Sequence, residues 1–97
     1  AVLETSGIFA NEDLNHFNVF PNPTSDEINI ELEASETGDY NLKLLDLNGK
    51  ILLKNQLSLT QNQTVISKMD LSDYPKGVYF LNIEKDGKSG WAKILVE

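Results

Sequence analysis

Glu27-Ile28-Asn29-Ile30-Glu31-Leu32-Glu33 alternates without a break. Ile28, Ile30 and Leu32 fall on one side of an extended chain, and the acidic and amide residues fall on the other. This is the pattern of a strand with one buried and one wet face. A strand half exposed in this way needs partners, so the fold is sought in other segments with the same two-residue rhythm.

They occur on both sides. Upstream, Phe17, Val19 and Phe20 lead into Pro21-Asn22-Pro23, where two prolines impose an extended and then turning backbone. Downstream, Gly38-Asp39 marks a turn, and Tyr40, Leu42 and Leu44 alternate with Asn41 and Lys43. The phase slips at Leu44-Leu45, which a bulge or a strand buried on both faces would explain. Asn48-Gly49 reads as a hairpin turn because both residues tolerate positive φ, with Ile51–Leu57 as the return strand. Residues 58–64 are polar, a loop or weak strand. Val65–Met69 is a further strand, and Asp70 to Gly77 is a single Pro-broken turn closed by Gly77. Val78–Ile83 is a strand, Asp86-Gly87 a tight turn within 84–90, and Trp91–Val96 the last strand. Six or seven strands with turns between them, and no helix longer than one turn, predict an all-β antiparallel sandwich in two sheets. Tyr40, Leu71, Tyr79, Leu81 and Ile83 are core candidates.

Residues 1–16 show no sustained period and read as a linker or processing region, with a short strand over Val2–Ile8. The folded domain is assigned to residues 17–97. The whole chain has 97 residues. That is one domain, burying about 60–65% of its extended surface.

The 15 acidic and 8 basic residues give a net charge of −7. This argues against nucleic acid and against an anionic lipid surface, both of which require clustered cations. The chain has no cysteine, so disulfides and zinc–thiolate sites are excluded. No apolar run reaches the ~20 residues of a membrane-spanning helix. The chain starts at Ala1 without a signal peptide, so it is read as part of a longer precursor whose export signal lies upstream.

Candidate chemistry is sparse. His16, the single histidine, sits in the linker without the neighbours a catalytic triad needs. Glu31/Glu33 and Glu36/Asp39 are pairs on a wet face, where alternating carboxylates keep a strand soluble. Asp39, Asp70 or Asp73 with carbonyl oxygens could make a weak calcium site, but EF-hand spacing is absent. Asn62-Gln63-Thr64 matches a glycosylation sequon, a three-residue match that is common by chance. Tyr40, Tyr74, Tyr79 and Trp91 fall in phase with Leu and Ile, which places them in the core ahead of a sugar-stacking platform. No catalytic, metal or cofactor site is expected, and the reading is of a non-enzyme.

Three ordered motifs carry a family resemblance over residues 17–97. The first is Val19-Phe20-Pro21-Asn22-Pro23-Thr24-Ser25-Asp26 with the strand Ile28-Asn29-Ile30 after it. The second runs from Gly38-Asp39-Tyr40 to Leu44-Leu45-Asp46-Leu47-Asn48-Gly49-Lys50. The third is Met69-Asp70-Leu71-Ser72 with Pro75-Lys76-Gly77-Val78-Tyr79-Phe80-Leu81, closing on Lys93-Ile94-Leu95-Val96. In this order the chain resembles the type A C-terminal sorting domain of the type IX secretion system of Bacteroidetes-type bacteria. Tyr74 departs mildly, standing where an aliphatic residue is usual.

The resemblance implies an Ig-like sandwich of about seven strands. It implies an N-terminal passenger, carried to the cell surface or the extracellular space by an outer-membrane translocon. It also implies removal of the domain by a sortase-like surface protease, with the cut placed in residues 1–16. The motif residues are Pro21, Asn22, Pro23, Gly38, Tyr40, Asp46, Gly49, Lys50, Gly77, Tyr79 and Lys93. Gly49 and Gly77 are read as positions needing φ > 0. Lys50 and Lys93 have no packing reason, and stand as docking contacts or solvated strand ends. Lys93, Ile94, Leu95, Val96 and Glu97 form the expected recognition element. The alternative is an Ig-like binding or adhesion module, such as a carbohydrate-binding appendage of a larger secreted protein. A weak dimer through an unpaired sheet edge is also expected.

Overall fold

A computed structural model describes residues 16–97. The linker, its short strand and the cleavage segment therefore fall almost wholly outside the described residues. Seven strands follow in order: β1 (Phe17–Phe20), β2 (Glu27–Glu33), β3 (Gly38–Leu45), β4 (Ile51–Leu59), β5 (Thr64–Asp70), β6 (Gly77–Lys85) and β7 (Lys88–Val96). They form two antiparallel sheets, a three-stranded one in the order β1-β2-β5 and a four-stranded one in the order β4-β3-β6-β7. The predicted sandwich is the fold, and the described residues contain no helix.

The rhythm of β2 does what it predicts. Ile28, Ile30 and Leu32 face the opposite sheet and are essentially inaccessible to solvent. They meet Tyr40, Leu42 and Leu44 of β3, Leu81 and Ile83 of β6, and Ile94 of β7, all 0% exposed. Burial of a Leu or Ile side chain stabilises by about 1.5–3 kcal/mol before chain entropy is counted, so this interlayer is what holds the sheets together. The phase slip at Leu44/Leu45 is a bulge against β4, where Leu44 faces Leu53 and Leu45 faces Ile51.

Three details differ from expectation. Asn48-Gly49 is a hairpin, but not a two-residue one. Gly49 has φ +84°, whereas Asn48 keeps negative φ. The loop is built instead by Asp46, whose carboxylate accepts the Asn48 and Lys50 N–H groups at 2.8 and 2.9 Å. The two-residue turn lies at Asp86-Gly87, where both φ values are positive and Lys85 pairs with Lys88. Accordingly β6 and β7 run closer to this turn than expected. Finally, Trp91 is not in the core. The buried set on β7 is Ala92, Ile94 and Val96, so Trp91 has the opposite parity and faces outward, across from Asn82.

Candidate functional site

β7 forms one edge of its sheet, and its outer side is not left open. In an antiparallel strand the N–H and C=O of one residue point the same way, so alternate residues of β7 face away from β6. The loop Phe20 to Asp26 lies against them. Thr24 donates its N–H to the Leu95 carbonyl at 2.9 Å and accepts the Glu97 N–H at 2.8 Å, a short parallel bridge between Thr24 and Val96. Asn22 extends it with its side chain. Its Nδ2 donates to the Lys93 carbonyl at 2.8 Å, and its Oδ1 accepts the Leu95 N–H at 3.1 Å. A side-chain amide carries one donor group and one acceptor, as a peptide does, and here it continues the ladder by two more bonds.

The loop is held for this task. Thr24 is 3% exposed, and its hydroxyl donates to the Glu27 carbonyl at 2.6 Å. Both prolyl bonds, Phe20–Pro21 and Asn22–Pro23, are cis. At its far end the Asp26 carbonyl accepts the Leu71 N–H at 2.6 Å, and Leu71 is buried. The first and third sequence motifs, some seventy positions apart, thus meet as one clasp around Lys93–Glu97. Within that segment Ile94 and Val96 are buried, Leu95 is half-buried, and Lys93 and Glu97 are exposed.

The remaining motif residues build the frame. Gly38 and Gly77 open β3 and β6 with φ near +150°, a region that disfavours side chains. Two residues on, Tyr40 donates its hydroxyl to the Glu36 carbonyl at 2.7 Å, and Tyr79 donates to the Pro75 carbonyl. Each tyrosine so pins the backbone four residues upstream, the bracing seen at the corners of immunoglobulin-type sandwiches. Tyr79 also packs at 6.4 Å between centroids against Tyr74, which is half-buried against the core. Asp46, Gly49 and Lys50 lie in the β3–β4 loop, with Lys50 exposed.

Beside the Tyr40 brace lies a residue that sequence reasoning missed. Lys85 occupies the inward register of β6 after Tyr79, Leu81 and Ile83, and its side chain is 5% exposed. Its ammonium lies 5.8 Å from the centre of the Tyr40 ring and contacts Asp86 at 2.6 Å and Glu36 at 3.2 Å. Lys88 joins Glu36 at 3.2 Å. Hydrogen bonding to Asp86 pushes the Lys85 ammonium above its ordinary value, and Lys85 in turn lowers Asp86. Lys88 and then Lys85 lower Glu36. Gly38 belongs to this cluster, since a Cβ there would sit 2.8 Å from the Lys85 Cε. Its signal in the sequence was parity: Lys85 continues the Tyr79, Leu81, Ile83 series.

The chemistry candidates stay apart. His16 is exposed, and its carbonyl accepts the Glu33 N–H. Asp39 accepts from the Ser58 hydroxyl, and Ser72 lowers Asp70 by hydrogen bonding through its side chain and then its N–H. Among the described residues no three acidic, histidine or cysteine side chains cluster as metal ligands would. Asn62 serves a turn, with φ +72°.

No curated protein matches the chain. A family profile described as the secretion system C-terminal sorting domain matches residues 18–97. That span takes in the clasp, both tyrosine braces and the last strand, and the chain belongs to the C-terminal sorting domains of type IX secretion.

Proposed function

We propose that residues 17–97 direct an N-terminal passenger through the type IX outer-membrane translocon, and that the translocon reads the clasped segment Lys93–Glu97. Family membership makes the chain a C-terminal sorting signal and implies export to the cell surface or extracellular space. A sorting-signal family is not an enzyme family. The observation that carries the finer reading is the clasp. Its residues come from two family motifs, and it holds Lys93 to Glu97 in one fixed geometry against the loop at Asn22 and Thr24. A presented, rigid segment costs less ordering entropy on binding than a loose tail. In this reading a sortase-like surface protease then cuts within residues 1–16.

The test fuses residues 1–97 to a periplasmic reporter in a strain competent for type IX secretion. The reporter is expected outside the cell. The proposal fails if the fusion stays periplasmic while a known sorting domain exports the same reporter. Removing Ile94–Glu97 is expected to keep the reporter in the periplasm.

A further inference from the structure

The two sheets have four outer edges among the described residues, and three of them are short or already engaged. The clasp covers β7. β1 is only four residues long. On β4, the alternation set by Leu95 at the clasp and carried across β6 and β3 turns the Gln56 N–H outward. That N–H is taken by the Asn55 carbonyl oxygen at 2.9 Å, and the same side chain donates to the Ser67 hydroxyl at 3.2 Å. β5 is left, seven residues in unbroken register with β2 and without proline. Its free side follows from the ladder. The Glu33 N–H bonds toward β1, to His16, and the Ala34 N–H bonds toward the β5 side, to Gln63. Counting back from Ala34, Leu32, Ile30 and Ile28 bond to β5, so their partners Val65, Ser67 and Met69 turn to β2. The N–H and C=O groups of Thr64, Ile66 and Lys68 therefore point outward and meet no strand among the described residues. The side chains of these three residues are exposed, Ile66 by 57%.

An open edge of this length is a template for another chain. The residues around it select which kind. Residues 47–69 span β4 and nearly all of β5, and they hold three lysines and no Asp or Glu, in a chain with 15 acidic residues. Lys54 and Lys68 are exposed and make no ion pair among the described residues. The cross-strand neighbour of Lys68 on β2 is the uncharged Asn29. On the interlayer side the same flank is apolar. Val65 of β5 and Leu53 and Leu57 of β4 pack against the core yet are only half-buried.

We infer that the outer edge of β5 accepts an extended strand of another protein in which apolar residues alternate with carboxylates. Such a strand joins the sheet through the backbone groups of Thr64, Ile66 and Lys68. Its apolar side chains fall on the interlayer side, next to Val65 and toward Leu53 and Leu57. Its carboxylates fall on the outer side, beside Lys68. The pattern is that of the chain's own β2, which β5 already pairs with on its other side. A second copy of this chain would bring a second set of lysines to the same flank and is the poorer occupant.

The test uses the 97-residue chain and, as probe, a fluorescein-labelled seven-residue peptide of alternating valine and glutamate, compared with its valine–lysine counterpart. Binding is read by fluorescence anisotropy and located by amide hydrogen exchange. The glutamate peptide is expected to bind at least tenfold more tightly than the lysine peptide. It is expected to slow exchange of the Ile66 and Lys68 N–H groups at least fivefold and to leave Gln56 unchanged. Ile66→Pro removes an N–H that bonds to no strand, where a sheet edge tolerates proline, and is expected to abolish binding. Lys68→Glu keeps the backbone and is expected to weaken binding at least fivefold. Lys76→Glu, an exposed lysine outside the flank with the same change of charge, is expected to alter it less than twofold. No binding at millimolar peptide, equal affinity for the two peptides, parental binding by Lys68→Glu, or protection away from β5 overturns the inference. Protection of Ile66 and Lys68 that rises with protein concentration in the absence of peptide assigns the edge to a second copy and overturns it as well. None of these measurements involves secretion, so each such failure leaves the sorting reading standing.

Discussion

Asn22→Ala isolates the clasp. The substitution removes the two side-chain bonds to β7, at 2.8 and 3.1 Å, and leaves the two backbone bonds of Thr24 in place. A hydrogen bond contributes roughly 0.5–1.5 kcal/mol net, and these two are partly open to water, so the loss is about 1.5 kcal/mol. For a domain of this size that is a fall of about 6–12 °C in melting temperature. Calorimetry reads the total, and amide exchange reads the location. The Leu95 N–H, deprived of Oδ1, is expected to exchange faster, while the Ile83 N–H in the central β6 keeps pace with global unfolding. Asn22→Asp sharpens the test, because it keeps an acceptor for Leu95 but sets a carboxylate oxygen against the Lys93 carbonyl. It is expected to be at least as destabilising as Ala. Asn18→Ala, which loses only an exposed 3.4 Å contact to Glu31, is expected to be near neutral. An Asn22→Ala protein that melts within a degree of the parent, with unchanged exchange at Leu95, would refute the clasp as an energetic element.

Gly77→Ala is expected to cost about 1–3 kcal/mol from backbone strain alone, as nothing lies near its added Cβ. Gly38→Ala has the same strain and must also displace Lys85, so chemical denaturation should show the larger loss there. Tyr79→Phe, losing one hydroxyl bond, should cost about 1 kcal/mol by urea titration, and Tyr40→Phe more, because its hydroxyl both donates to and accepts from Glu36. The Lys85 cluster sets the pH limits. Glu36 and Asp86 are lowered on folding, so their stabilisation is present above the usual carboxylate range and lost as pH falls below about 4. Lys85 is raised, so its share is complete below its unfolded value and lost as pH climbs past about 10.5. Melting temperature measured against pH should fall at both ends, and Lys85→Met should flatten both limbs. A Lys85→Met profile that parallels the parent would sink this assignment.

The strands and most of the core were readable because each is a local pattern. Ile28-Asn29-Ile30 declares its two faces within three residues, and Leu44-Leu45 declared the bulge as a broken phase. Trp91 misled because its size suggests burial, whereas parity with Ala92 and Ile94 decides its face. Asn48-Gly49 misled because Asp46, two residues earlier, offers its carboxylate to the loop N–H groups and removes the need for a second positive φ. The clasp lies beyond local reading altogether. The contact between Asn22 and Lys93 spans the whole sandwich in sequence, and a Pro-Asn-Pro loop does not announce which edge it will cover. Lys85 was hidden for a different reason: a charged residue beside a turn suggests solvent, and only the facing carboxylates and the bare α-carbon of Gly38 make room for it inside.

The short bridge between Thr24 and Val96 runs parallel, the single parallel pairing recorded among the described residues. Chains that run the same way side by side, drawn apart from the N-terminal end of one and the C-terminal end of the other, slide lengthwise and do not peel. A load applied between the segment ahead of Phe17 and the segment after Val96 meets the β1–β2 pairing and the bonds of Asn22 and Thr24. A joint loaded in this way resists tension better than a hairpin opened from its tip.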